Sequence, residues 1–91
     1  MEALIPFDMS RLLTNDEAIR EYLNQVLADG DSDELLRALG HIAKAKGMAS
    51  VAERAGLGRE SLYKALSPGA KPRYETVVRV LKALGVTLQA A

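Results

Sequence analysis

Met48 to Ser67 reads MASVAERAGLGRESLYKALS, and the small and apolar positions of this stretch decide the fold. Ala52, Gly56, Leu62 and Ala65 fall where two short helices meeting at a tight corner need them, with Val51, Ala55 and Leu57 at the other inward positions. Ala52 and Ala65 are small enough for the helices to cross closely. Gly56 supplies the positive φ that ends the first helix, a conformation that bulky side chains rarely adopt. Leu62 anchors the second helix from below, leaving Arg59, Glu60, Tyr63 and Lys64 to face outward.

The pattern extends outward from this corner in both directions. Ser50 with Glu53 forms a capping box, which predicts a short helix over Val51 to Ala55. A second helix is expected over Arg59 to Leu66, so the paired unit spans 50–66. Downstream, Pro68, Gly69 and Pro72 mark a loop. A last helix over Tyr74 to Leu84 is expected to bury Val77, Val78, Leu81 and Leu84 and to stop at Gly85. Val86, Thr87 and Leu88 form a short β-prone tail.

Upstream, Asp31 or Ser32 caps a helix over Asp33 to Ala45, with Leu35, Leu36, Leu39, Ile42 and Ala43 inward and Gly47 as its stop. Gly40 lies inside this helix, where glycine costs about 1 kcal/mol relative to alanine. Before it, Thr14 and Glu17 form a capping box that opens an extra helix over Asn15 to Ala28. Its apolar residues Ile19, Tyr22, Leu23, Val26 and Leu27 recur every three or four positions. Residues 1–13, with Pro6, read as an extended arm. The class is all-α, with 14–91 a single domain.

Composition narrows the function. Apolar residues make up 48% of the 91 and charged residues 26%, which is ordinary globular usage for one domain. With no cysteine there is no disulfide and no thiolate metal site, which suits a reducing cytoplasm. No apolar run is long enough for a membrane span, and acidic Glu2 argues against a signal peptide. Net charge is zero, but it is segregated. Up to Leu35 nine acids face two bases, a net −7, whereas from Leu36 onward ten bases face three acids, a net +7. A polyanion is drawn to the second part and repelled by the first.

A two-helix corner in the basic part presents its second helix to the DNA major groove. The helix order from Asp33 to Leu84, preceded by one extra helix, resembles the lambda-repressor-like (XRE/Cro) helix-turn-helix domain of small bacterial regulators. Lys71, Pro72, Arg73 and Tyr74, followed by Ala83 to Val86, are similar to the loop and last helix of phage-repressor domains. There, a basic residue just after that proline contacts backbone phosphate. Phe7, Asp8 and Met9 with the run LYKALSPGAKPRYETVVRVLKALGV resemble the addiction-module antidote family. These are antitoxins of type II toxin–antitoxin operons, related to the HigA-like group, whose usual partner is a RelE/ParE/HigB-type toxin. The glutamine that many such domains place at the start of the corner's first helix is absent, and Ser50 stands in its place.

The resemblance and the residues together give a candidate DNA-binding set: Ser50, Arg59, Glu60, Ser61, Tyr63, Lys64, Lys71 and Arg73. Arginine pairs bidentately with guanine and glutamate accepts from cytosine N4, each good contact giving about 1–3 kcal/mol of discrimination. The plainer alternative is a solvated face, with Glu60 and Lys64 an i,i+4 ion pair. For Tyr63 the alternatives are a contact to the DNA sugar or phosphate, and packing on the neighbouring helix. Lys71 and Arg73 are expected to clamp phosphates.

The acidic run Asp29 to Glu34 imitates the start of a calcium loop but lacks its sixth-position glycine and twelfth-position glutamate, so capping is the better reading. The lone His41 and the missing nucleophile motifs argue against an enzyme, and no cofactor or metal is expected. For the extra helix, Ile19, Tyr22, Leu23, Val26 and Leu27 have three uses open to them: the domain's own core, a homodimer, or a cognate toxin. The resemblance implies a basic toxin, which the acids of this helix complement. The expected protein is a homodimeric antitoxin that represses its own operon. The alternatives are a phage-type repressor without a toxin and a toxin-binding module that does not bind DNA.

Overall fold

A computed structural model describes residues 12–86, and these are all-α, with five helices and no strand among them. They are α1 (Asp16–Asp29), α2 (Ser32–Lys46), α3 (Met48–Ala55), α4 (Arg59–Ala65) and α5 (Tyr74–Ala83). Helix α3 lies at the centre, packing most extensively on α5 and also on α2 and α4, while α1 lies against α2. The fold is a helix-turn-helix domain with an extra N-terminal helix. Its corner is the α3–α4 pair, joined by Gly56, Leu57 and Gly58.

The corner forms as its composition requires. Gly56 adopts φ 70, ψ 30 and donates its N–H to the Ala52 and Glu53 carbonyls, while Leu57 N–H also reaches the Ala52 carbonyl. These bonds satisfy carbonyls that the end of α3 would otherwise leave open. Val51, Ala52 and Ala55 are buried from α3, and Leu62 is wholly buried from α4. Ala65 and Leu57 are half-buried.

The helix caps differ from the sequence expectation in two places. Asn15, not Thr14, caps α1: its side chain accepts from Ala18 N–H at 2.8 Å. Asn15 is extended at φ −148, so the helix begins at Asp16 and Glu17 becomes its second residue, one position too early to complete a box with Asn15. The Ser50–Glu53 box is likewise not formed, because α3 begins at Met48 and places Ser50 inside its first turn. Gly47, at φ 100 and ψ 109, both ends α2 and starts α3, so no linker residue remains to serve as a side-chain cap. Asp31 caps α2 as one of the two expected residues, accepting from Glu34 N–H at 2.9 Å.

The core joins Leu13, Ile19, Leu23, Leu36, Leu39, Ile42, Val51, Leu62, Val80 and Leu84, with small Ala38, Ala43, Ala52 and Ala55 between them. In α5 the inward residues are Val80, Leu81, Ala83 and, just past its end, Leu84, while Val77 and Val78 are only half-buried. The helix sinks its C-terminal half against α3 and keeps its first turn at the surface. Leu27, expected inward on α1, is 49% exposed because the last turn of α1 extends past the packed stripe of Ile19 and Leu23. Leu13, the last residue of the expected arm, is buried; residues 1–11 of that arm and Thr87 and Leu88 of the tail lie outside the described residues.

Two glycines separate backbone need from side-chain need. A Cβ at Gly56 would meet nothing within 4 Å but would sit at a left-handed φ, so Gly56→Ala is expected to destabilise by about 1 kcal/mol. A Cβ at Gly40 would touch only Leu66 Cβ, at 4.0 Å, so Gly40→Ala is expected to stabilise by up to about 1 kcal/mol. Urea denaturation of the two variants checks both signs.

Candidate nucleic-acid interface

Helix α4 begins at Arg59 because Gly58 is extended at φ −69, ψ 153, which aims the first helical side chains away from the corner. With Leu62 fixed in the core, the helical period leaves Arg59, Glu60, Ser61, Tyr63 and Lys64 exposed. Tyr63 is 51% exposed, intermediate between the two readings of that residue. Its carbonyl accepts from Ser67 Oγ at 2.7 Å, which tethers the end of α4 to the following loop.

That loop carries the remaining cations. Ser67 to Arg73 turns back through Gly69 at φ 83, with Ala70 N–H bonded to the Ser67 carbonyl at 3.0 Å. Arg73 is the N-cap of α5 but provides no side-chain cap bond. The first-turn amides of α5 therefore stand beside Lys71 and Arg73, a local geometry suited to an anion.

Ser61, Lys64, Lys71 and Thr76 line one shallow groove of about 380 Å³ between α4 and the start of α5, floored by Leu57, Ala65 and Ala70. Of the sequence-derived set, this groove unites Ser61, Lys64 and Lys71. Arg59, Glu60 and Arg73 are exposed outside its lining, and Tyr63 borders a different cavity against α2. Ser50, exposed on α3, does not line that groove. It lines a depression of about 240 Å³ with Lys46, Val51, Arg54 and Ala83, so any anion it holds is shared with Arg54 and Lys46.

Two residues that sequence reasoning missed belong to this surface. Tyr74, the first residue of α5, is 83% exposed next to Arg73. Asp33 in the first turn of α2 accepts from Gly69 N–H at 2.9 Å across 36 residues, pinning the cationic loop to the domain. The acidic run is thus divided between two backbone duties, Asp31 at the start of α2 and Asp33 at the loop. Among the described residues no group of three or more His, Asp or Glu is placed to hold a metal.

Helix α1 is predominantly acidic, with Asp16, Glu17, Glu21 and Asp29 against Arg20. On α1, Ile19 and Leu23 are buried in the domain's own core, Tyr22 and Val26 are half-buried, and Leu27 is exposed beside Asp29. Burial lifts the Tyr22 hydroxyl above its ordinary pKa, with Arg37 opposing and Glu34 adding to the rise. Tyr22 also meets the His41 ring, centroids 6.4 Å apart. Asp16 reaches Lys46 at 3.6 Å, a surface pair that contributes little to stability. No described helix is long and apolar enough to cross a membrane.

Comparison with known proteins extends over nearly the whole chain. A family model described as "Probable addiction module antidote protein" matches residues 3–91. An "Uncharacterized protein" of Haemophilus influenzae is 44% identical over 88 residues, covering 97% of this chain and 91% of that one. No solved structure matches the chain.

Removing the Asp33 carboxylate is expected to free the loop before it affects the core. Asp33→Ala should speed hydrogen exchange at the Gly69 amide by roughly fivefold, equivalent to about 1 kcal/mol of an exposed hydrogen bond, with little change at Leu39 or Ile42. Amide exchange followed by NMR checks it.

Proposed function

The chain belongs to the addiction-module antidote family, and on that premise we propose that it is a DNA-binding antitoxin that represses its own operon as a homodimer. An addiction-module antidote is the neutralising half of a toxin–antitoxin pair. The observation that carries the DNA-binding reading is the exposed cationic surface around the corner motif: Arg59 and Lys64 on α4, with Lys71 and Arg73 on the loop beside it. The roles divide by position. Arg59 and Glu60 at the start of α4 read base edges, whereas Lys71, Arg73 and the first amides of α5 hold phosphates in register. Ser50 with Arg54 supplies a further phosphate contact, and Tyr63 a contact to sugar or phosphate.

A single α4 offers one reading helix and few phosphate contacts. A two-fold dimer doubles both and reads half-sites about 34 Å apart on one side of the duplex. Zero net charge does not oppose this, since the field at the motif is set by the basic part of the chain.

The toxin surface is α1. Its acids complement a basic toxin of the RelE/ParE/HigB type, and the half-buried Tyr22 and Val26 with exposed Leu27 provide the apolar contact. Ile19 and Leu23, expected in this set from the sequence, contribute by holding α1 on α2.

Gel-shift titration against the DNA upstream of the chain's own reading frame tests the DNA-binding reading. Arg59→Ala should lower discrimination between promoter and random DNA by about 1–3 kcal/mol. Arg73→Ala should weaken both alike and reduce the salt slope by about 0.9 for each phosphate that the variant no longer neutralises. No retardation of promoter DNA at low salt would sink the reading.

Co-purification with the product of the adjacent reading frame tests the toxin surface. Leu27→Asp places a charge at an exposed apolar position, so it should leave folding intact and weaken the complex roughly tenfold or more. An unchanged complex removes α1 from the interface.

A further inference from the structure

We propose that the cleft between α2 and the end of α4 holds a binding site for a small amphipathic anion, a flat apolar body carrying one carboxylate. The cleft contains a cavity of about 270 Å³, just below the size range of about 300–1,000 Å³ usual for ligand pockets and suited to one or two fused rings. Its apolar surface comes from Leu66, Met48 and Pro68, with the Tyr63 ring alongside. Arg37, His41 and Lys44 line it from α2. Their spacing of four and then three residues puts all three on one stripe of the helix. Among the described residues no carboxylate lines the cavity.

Gly40 is the second observation. It sits in the middle of α2, has no positive φ, and is approached closely by no backbone. The fold therefore gives no conformational reason for the least helix-favouring residue short of proline at this position. What its missing side chain does is leave the space over Leu66 open, because any residue longer than alanine would project into the cavity. The apolar floor takes the ring of a ligand, and the guanidinium of Arg37 takes its carboxylate in a charge-assisted contact. A neutral analogue would bury the same ring and forgo that contact. The site stands on this geometry alone and is independent of the DNA-binding reading.

Titration of the 15N-labelled full chain with 2-naphthoate, with 2-naphthamide as the neutral control, tests it. Saturable shifts are expected at the amides of Gly40, His41, Lys44 and Tyr63, with the carboxylate binding roughly tenfold tighter than the amide. Gly40→Leu should weaken naphthoate by at least about tenfold by occupying the floor. Gly40→Ala, which a 4.0 Å contact accommodates, checks by circular dichroism that α2 accepts a side chain there. Arg37→Gln should weaken naphthoate and leave naphthamide unchanged. Shifts located elsewhere in the wild-type chain, equal binding of acid and amide, or full binding by folded Gly40→Leu would overturn the proposal.

Discussion

The whole domain depends on one packing constraint: α3, eight residues long, must touch α2, α4 and α5 at once. A helix that short offers about two turns, so each face has only two or three side chains to give. Ala52 and Ala55 meet the constraint by being small, and Val51 supplies the one larger side chain that α3 fully buries. Were either alanine long-chained, three neighbours would have to move apart together, because interiors close-packed to crystal density have no slack to absorb the volume. The two glycines bounding α3 are the other half of this arrangement. Gly47 and Gly56 turn the chain sharply at either end, so α2 reaches α3 through Gly47 alone and α4 follows after Gly56, Leu57 and Gly58.

Placement of the charged surface follows from that packing. Leu62 is fixed in the core, so the phase of α4 is fixed, and the outward positions fall to Arg59, Glu60, Ser61, Tyr63 and Lys64 with no freedom to exchange. The loop after α4 is held by different means. Asp33 reaches over from α2 to Gly69, and Ser67 ties back to Tyr63, so Lys71 and Arg73 are presented from an anchored turn. An acidic residue thus positions basic ones, and the segregation of charge along the sequence is bridged in space at this point and again at Asp16 and Lys46.

Local signals are legible where a single residue type has a single use. A glycine between apolar helical stripes marks Gly47 and Gly56, and the three- and four-residue spacing of Leu36, Leu39 and Ile42 marks α2. Caps are harder to place, because Thr14 and Asn15 are both good caps and only the packing of Ile19 and Leu23 on α2 selects the frame in which Asn15 serves. Ser50 misleads for the same reason: serine is as compatible with a first helical turn as with a cap, and the sharp turn at Gly47 settles which. The phase of α5 is ambiguous in the sequence because Val77 and Val78 are as apolar as Val80 and Leu81, and which pair is sunk depends on where α3 lies. Leu27 satisfies the apolar period of α1 but lies beyond the part of that helix which the domain covers.

Helix count, the corner, the residues on the outer side of α4 and the division of charge were all set within the sequence, since each follows from local conformational preference or from composition. Three further features arose only on packing: Asp33 holds the cationic loop, Ser50 lines a depression with Lys46, Arg54 and Ala83 and not the groove beside α4, and Ile19 and Leu23 belong to the core while Leu27 remains at the surface. The physical reason is distance along the chain. Helical period and turn chemistry act over a few residues and are written in the sequence, whereas a contact across 36 residues exists only once α2, α3 and α4 have been packed against one another.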